Sequence, residues 1–201
     1  DSYPEWLRND FRLKAARAAV ETGDTAFAER LLDEVETAGL TVEDASLYNL
    51  LSGRVDEASG RQQEALDTYG QVISADVRPT RAEAVYRTLL LLDAEGRLDV
   101  SKATQTLAAE TLLWRGDNLE AQMQTLLAQL YFRHGDYRLG FETVRAAITS
   151  FPESTAVNAL RDQAQTMFSD LFLNGLADSI GAVEALAIYY DFQHLTPAGT
   201  R

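Results

Sequence analysis

The sequence predicts an all-α fold, a solenoid of antiparallel helix pairs, and three observations carry the prediction. Apolar residues recur at helical rather than strand spacing along nearly the whole chain. Gly23, Gly60, Gly96 and Gly135 close helices at intervals of 37, 36 and 39 residues. Near-even spacing on that scale marks a repeated supersecondary unit. Around three of these glycines a small residue stands seven positions before and five after: Ala16 and Ala28, Gly53 and Ala65, Ala128 and Gly140. Small side chains at those points let paired helix axes approach closely.

Taken in order, residues 5–22 form a first helix with Leu7, Phe11, Ala15, Ala18 and Ala19 on its apolar stripe. Gly23-Asp24 turns the chain, and a second helix through Phe27, Leu31, Leu32 and Val35 stops near Gly39. Thr41 with Asp44 three residues on caps a helix that carries Leu47, Tyr48, Leu50, Leu51 and Val55 and ends at Gly60. The helix after it holds Ala65 and Tyr69 and stops before Pro79. Thr80 with Glu83 makes a capping box for the next helix, whose Val85 and Leu89 to Leu92 give an apolar surface wide enough to be buried on two sides. A helix near 99–114 follows Gly96 with Ala103, Leu107, Leu112, Leu113 and Trp114; its small-residue spacing is lost, so a wider turn or a shifted crossing is expected.

The best-formed unit runs over 118–152. Leu119, Met123, Leu126, Leu127, Leu130 and Tyr131 line its first helix, Gly135 closes it and Asp136 caps the next. Phe141, Val144, Ala147, Ile148 and Phe151 line the second, which Pro152 stops. Ser154 or Thr155 then caps a longer helix through Val157, Leu160, Ala164, Met167, Phe168, Leu171 and Phe172, ended by Asn174-Gly175. Ser179 opens a last helix with Val183, Leu186, Ala187, Tyr190 and Phe192, and Pro197 follows. This tail lacks the repeat spacing and reads as a closing pair over the end of an array. One array is therefore expected over 1–201, with pairs at about 5–39, 41–78, 80–115 and 118–152 and a closing pair at about 154–195. The start at Asp1 without a Met reads as a piece of a longer protein.

Counted from Gly135, Ala128, Tyr131, Gly140, Val144, Ala147 and Pro152 resemble the tetratricopeptide repeat; Gln124 replaces the early Trp of that pattern. The unit at Gly60 is similar, through Gly53, Ala65 and Tyr69, with Asp56 where an aromatic is usual. The resemblance implies a right-handed superhelix with a concave inner face lined by the first helix of each pair. The ending LADSIGAVEALAIYYDFQHLTP also looks like a segment of large proteobacterial proteins with such arrays. GDYRLGFETVRAAITSFPES resembles envelope-associated repeat proteins, which favours a bacterial periplasm or cell envelope over the cytoplasm.

Composition excludes several functional classes. Hydrophobic residues make up 46% of the 201 and charged ones 24%, as in ordinary globular domains. The apolar run Leu89 to Leu92 is far too short to cross a bilayer. A net charge of -13 repels a phosphate backbone and disfavours nucleic acid. With no cysteine there is no disulfide or thiolate metal site. His134 and His194 lack metal-ligand spacing, and His134 fits the last turn of a helix. No phosphate loop or nucleophile elbow is present, so neither an enzyme nor a cofactor is expected. Most aromatics, among them Trp6, Trp114, Tyr131, Tyr189 and Tyr190, fall on helical stripes and read as core.

The inward-facing places that the resemblance implies are Leu13, Arg17, Arg54, Glu57, Tyr86, Leu90, Gln122, Thr125, Gln129, Phe132 and Arg133. Arg17, Arg54, Tyr86, Gln122, Thr125, Gln129, Phe132 and Arg133 are the candidate binding residues, able to hold an extended peptide by hydrogen bonds and stacking. One subfamily clamps a terminal carboxylate with Asn and Lys; Arg17 and Arg54 stand where that clamp has Asn, so it is not implied here. The expected function is a protein-interaction scaffold with a protein or peptide partner. The alternative is a structural component that packs against neighbouring subunits, including self-assembly, or against further repeats of its own chain.

Overall fold

Turn residues decide where the helices stop. The computed structural model describes residues 3–195. Among them it places α1 (Glu5–Thr22), α2 (Thr25–Asp33), α3 (Val42–Ala58), α4 (Gln62–Ala75), α5 (Thr80–Ala94), α6 (Val100–Leu113), α7 (Asn118–His134), α8 (Tyr137–Ser150), α9 (Thr155–Leu173) and α10 (Ala182–Phe192), with no strand. Gly23, Gly60, Gly96 and Gly135 all have left-handed backbone, φ +67 to +91, where a side chain would strain the turn. Pro197 lies outside the described residues. The chain forms two compact units, Asp1–Leu98 and Asp99–Arg201. The division falls inside the expected third pair, 80–115, where the small-residue spacing is lost.

In the first unit α1 pairs with α2 and α3 with α4, while α3 also packs on α1 and α5. Ala16 and Ala28 are fully buried where α1 meets α2. At the α3–α4 crossing Gly53 faces the ring of Tyr69, and a Cβ there would lie 2.7 Å from it. Tyr69 is fully buried, a burial worth roughly 2–3 kcal/mol for a ring of that size. The Asp24 carboxylate accepts from Phe27 N–H at 3.0 Å, and Thr41 Oγ1 accepts from Asp44 N–H at 3.1 Å, so both helix starts are capped by side chains.

Two expectations for this unit are corrected. The buried side of α1 is Asn9, Leu13, Ala16 and Ala19; Phe11, on the expected stripe, is 69% exposed. Buried Asn9 binds the chain after α2 twice, donating from Nδ2 to Glu36 O at 2.8 Å and accepting Glu36 N–H at 3.2 Å. This satisfies a polar group whose desolvation would otherwise count against that face. The Thr80–Glu83 capping box does not form. Thr80 is already helical and donates to Val77 O, while its Oγ1 lies 2.7 Å from Ser46 Oγ in the core.

The second unit is organised around Phe141. It is fully buried, meets Phe132 edge-on at 5.0 Å and Phe168 at 5.9 Å, and stacks with Phe192 at 5.3 Å. Those rings come from α7, α9 and α10, so one side chain of α8 joins four helices. Gly140 admits the edge of Phe132 in the same way that Gly53 admits Tyr69. Asp136 does not cap α8 as expected, because its carboxylate takes His134 Nδ1 at 2.9 Å. Ser179 lies in a 3₁₀ turn, Leu176–Ser179, and Gly181 occupies the N-cap of α10. In α6 the buried side is Ala103, Thr104, Leu107, Glu110 and Thr111, whereas Leu112 and Leu113 are exposed.

Gln124, which replaces the family's Trp, is buried in a polar pocket instead of an aromatic one. Buried Glu120 accepts from Gln124 Nε2 at 2.8 Å, from Arg115 at 3.0 Å and from the Gly116 N–H.

Candidate protein-binding face

In the first unit, α1, α3 and α5 pack one after another and bring Arg17, Arg54 and Arg87 around two carboxylates. Glu83 holds Arg17 at 3.0 Å through Oε2 and Arg54 at 3.1 Å through Oε1, and its Oε1 lies 3.5 Å from Arg87. Glu57 holds Arg87 at 3.3 Å and accepts from the Tyr69 hydroxyl at 2.6 Å. Glu21, a turn further along α1, lies 4.0 Å from Arg17, so three guanidiniums face three carboxylates and the cluster is balanced in charge.

Electrostatics follow from that crowding. Burial lowers the Arg54 pKa and neighbouring Arg87 lowers it further, against the pull of Glu83. For Arg87 burial also acts downward, but Glu57, Tyr69 and Glu83 together raise its pKa. Burial and the bond to Glu57 raise Tyr69 far above the ordinary phenol range, and burial raises Tyr86. Both arginines stay charged, and the site offers fixed cationic donors beside the half-buried Tyr86 ring.

In the second unit Gln122, Thr125, Gln129 and Arg133 form one stripe on α7. The Thr125 hydroxyl donates back to Ala121 O, and Gln129 Nε2 donates to Gln163 Oε1 of α9 at 2.8 Å. Gln122 is half-buried and Arg133 exposed. Phe132 does not reach this stripe. It is a core residue packed over Gly140 and against Phe141, as Leu13 is in the first unit, and both expectations are corrected.

Two members of the first-unit cluster are absent from the sequence candidates. Glu83 reads in the sequence as a cap, and Arg87 falls outside the family's inward places. Their spacing of four on one helix is the signal that pairs them. Chemically the cluster can bind and orient, but it holds no nucleophile beside a base. Among the described residues no group of three or more His, Asp or Glu is placed to hold a metal.

Comparison with known proteins identifies the fold. No family model matches the sequence, and no curated protein matches it. The chain is similar to a crystal structure of Podosopora anserina putative kinesin light chain nearly identical TPR-like repeats, at 19% identity over 97% of each chain with a TM-score of 0.60. A single-substitution form of that protein matches at 19% identity over 96% of this chain and 99% of the other, with a TM-score of 0.61. The chain therefore has the tetratricopeptide-like repeat fold, a helical-repeat solenoid.

Proposed function

We propose that the chain is a non-catalytic scaffold that holds an extended segment of a partner protein on the concave face of its array. The observation that carries this reading is the half-buried Arg17–Arg54–Arg87 cluster on the successive helices α1, α3 and α5. Glu83 and Glu57 already hold the guanidiniums in place, so a bound segment would order few side chains at its own cost. Carbonyls and carboxylates of the segment would accept from the arginine forks, and Tyr86 would offer a ring for stacking. The second unit carries a candidate stripe of its own on α7, Gln122, Thr125, Gln129 and Arg133.

The partner is a protein or peptide. The -13 charge works against nucleic acid, and among the described residues no helix is long and apolar enough to cross a membrane. A bacterial periplasmic or envelope setting rests on the sequence resemblance alone. The reading is tested by changing Arg54, Gln129 and Arg133 to Ala together and capturing partners with the full-length protein from its native cell. Capture should be lost while cooperative unfolding remains. Undiminished capture by that variant would overturn the assignment of this face.

A second reading, a structural part that packs on neighbouring subunits, is favoured by apolar faces that α1 and α10 leave uncovered.

A further inference from the structure

Two helices carry groups of exposed apolar side chains, apart from single ones such as Val42, Leu112 and Leu173 elsewhere. On α1 and just before it, Trp6 is 70% exposed, Phe11 69% and Tyr3 68%. With half-buried Leu7 and the small Ala15 and Ala18, Phe11 forms a stripe on the side opposite the buried Leu13 and Ala16. A groove of about 480 Å³ runs along it, lined by Tyr3, Leu7, Arg8, Phe11 and Arg12. Large rings are rarely left this open on a monomeric surface, and a contiguous patch of them marks an interaction site.

The second face is on α10. Val183 is 85% exposed, Leu186 56% and Tyr190 64%, at helical spacing on one side, while Ile188 and Phe192 bury the other. A groove of about 510 Å³ adjoins it, lined among others by Phe172, Asp178, Ile180, Leu186 and Tyr189.

The charges flanking the two faces are opposite. Arg8 and Arg12 line the α1 groove; Arg12 is held by Glu34 at 3.2 Å, which leaves Arg8 as the charge the groove can turn to a partner. Residues 176–195 contain Asp178, Glu184 and Asp191 and not one Lys or Arg; Asp191 is paired with Arg138 of α8 at 2.9 Å, which leaves Asp178 and Glu184. We propose that the α1 face of one molecule docks on the α10 face of a second copy, giving a heterologous, head-to-tail association. Apolar stripes of matching character supply the driving force, and Arg8 against Asp178 and Glu184 sets the pairing and disfavours α10 on α10. This goes beyond the partner-binding reading, whose residues lie elsewhere on the chain.

The experiment is sedimentation velocity on the 201-residue chain from about 5 to 200 µM, a range in which mass action separates monomer from assembly. Wild type should grow with concentration, and Phe11→Asp and Tyr190→Asp should each stay monomeric. Both positions are exposed, so both variants should keep the wild-type helical content and unfolding midpoint. Mixed one to one, the two variants should form a heterodimer and grow no further, because each retains one intact and complementary face. Arg8→Glu should weaken association roughly tenfold, and about 0.5 M salt should weaken it in wild type. Monomeric wild type at the highest concentration would overturn the proposal. So would self-association of Phe11→Asp alone, or a mixture that remains monomeric.

Discussion

Glu83 and Arg54 form the central ion pair of the first unit: Glu83 Oε1 lies 3.1 Å from Arg54 while its other oxygen holds Arg17 at 3.0 Å. A residue three places into α5 thereby ties α1 and α3 to its own helix. Both partners are largely removed from solvent, at 16% and 12% side-chain exposure. Glu83→Gln should destabilise the protein by about 3 kcal/mol, since it leaves guanidiniums half-buried without a counter-charge. Urea unfolding measures this, and Glu83→Asp should recover part of the loss.

Gly53→Ala and Gly140→Ala should each cost about 1–3 kcal/mol, because the added methyl meets the rings of Tyr69 and Phe132, which have no free space to retreat into. Pairing Gly53→Ala with Tyr69→Leu in a double-mutant cycle should recover part of the loss; simple additivity would argue against the close contact.

Asn9→Ala removes a bond in each direction between α1 and the chain after α2 and strands the Glu36 N–H and C=O. A loss of about 2 kcal/mol is expected by denaturant unfolding. Amide exchange at Glu36 should quicken, which loss of packing elsewhere would not produce.

Tyr69 has a raised folded-state pKa, so its contribution to stability is complete below the unfolded value near 10 and falls as pH rises beyond it. Absorbance titration of wild type and Tyr69→Phe should coincide up to about pH 11 and part only when the wild type unfolds. A phenolate signal that disappears with Tyr69→Phe below that pH would contradict its burial against Glu57.

Helix ends are largely legible in the sequence because they are decided locally. Gly135 needs a left-handed backbone, and Asp24 and Thr41 reach their own N-termini over three residues. Faces are harder to read. Phe11 and Leu13 lie on two different apolar sides of α1, and only the position of the neighbouring helices decides which side is covered. In α6 the same ambiguity leaves Leu112 outside and Glu110 inside. Glu83 departs from its expected role because one carboxylate can cap a helix or bridge to other helices, and the choice depends on Arg17 and Arg54, distant in sequence. The tetratricopeptide pattern brings Arg17 and Arg54 to notice but not their shared partner Glu83, and it does not foresee that Gly140 draws the Phe132 ring into the core.

The central claim, that the first-helix face carrying the arginine cluster holds a partner protein, is tested most directly by site-specific photo-crosslinking. A photoreactive phenylalanine is placed at Tyr86, beside the cluster, or at exposed Gln63 on α4, in the full-length protein in its native cell. The account predicts a crosslinked protein partner from Tyr86, absent from Gln63 and lost when Arg54→Ala is added. Crosslinking from Gln63 with none from Tyr86 would contradict it.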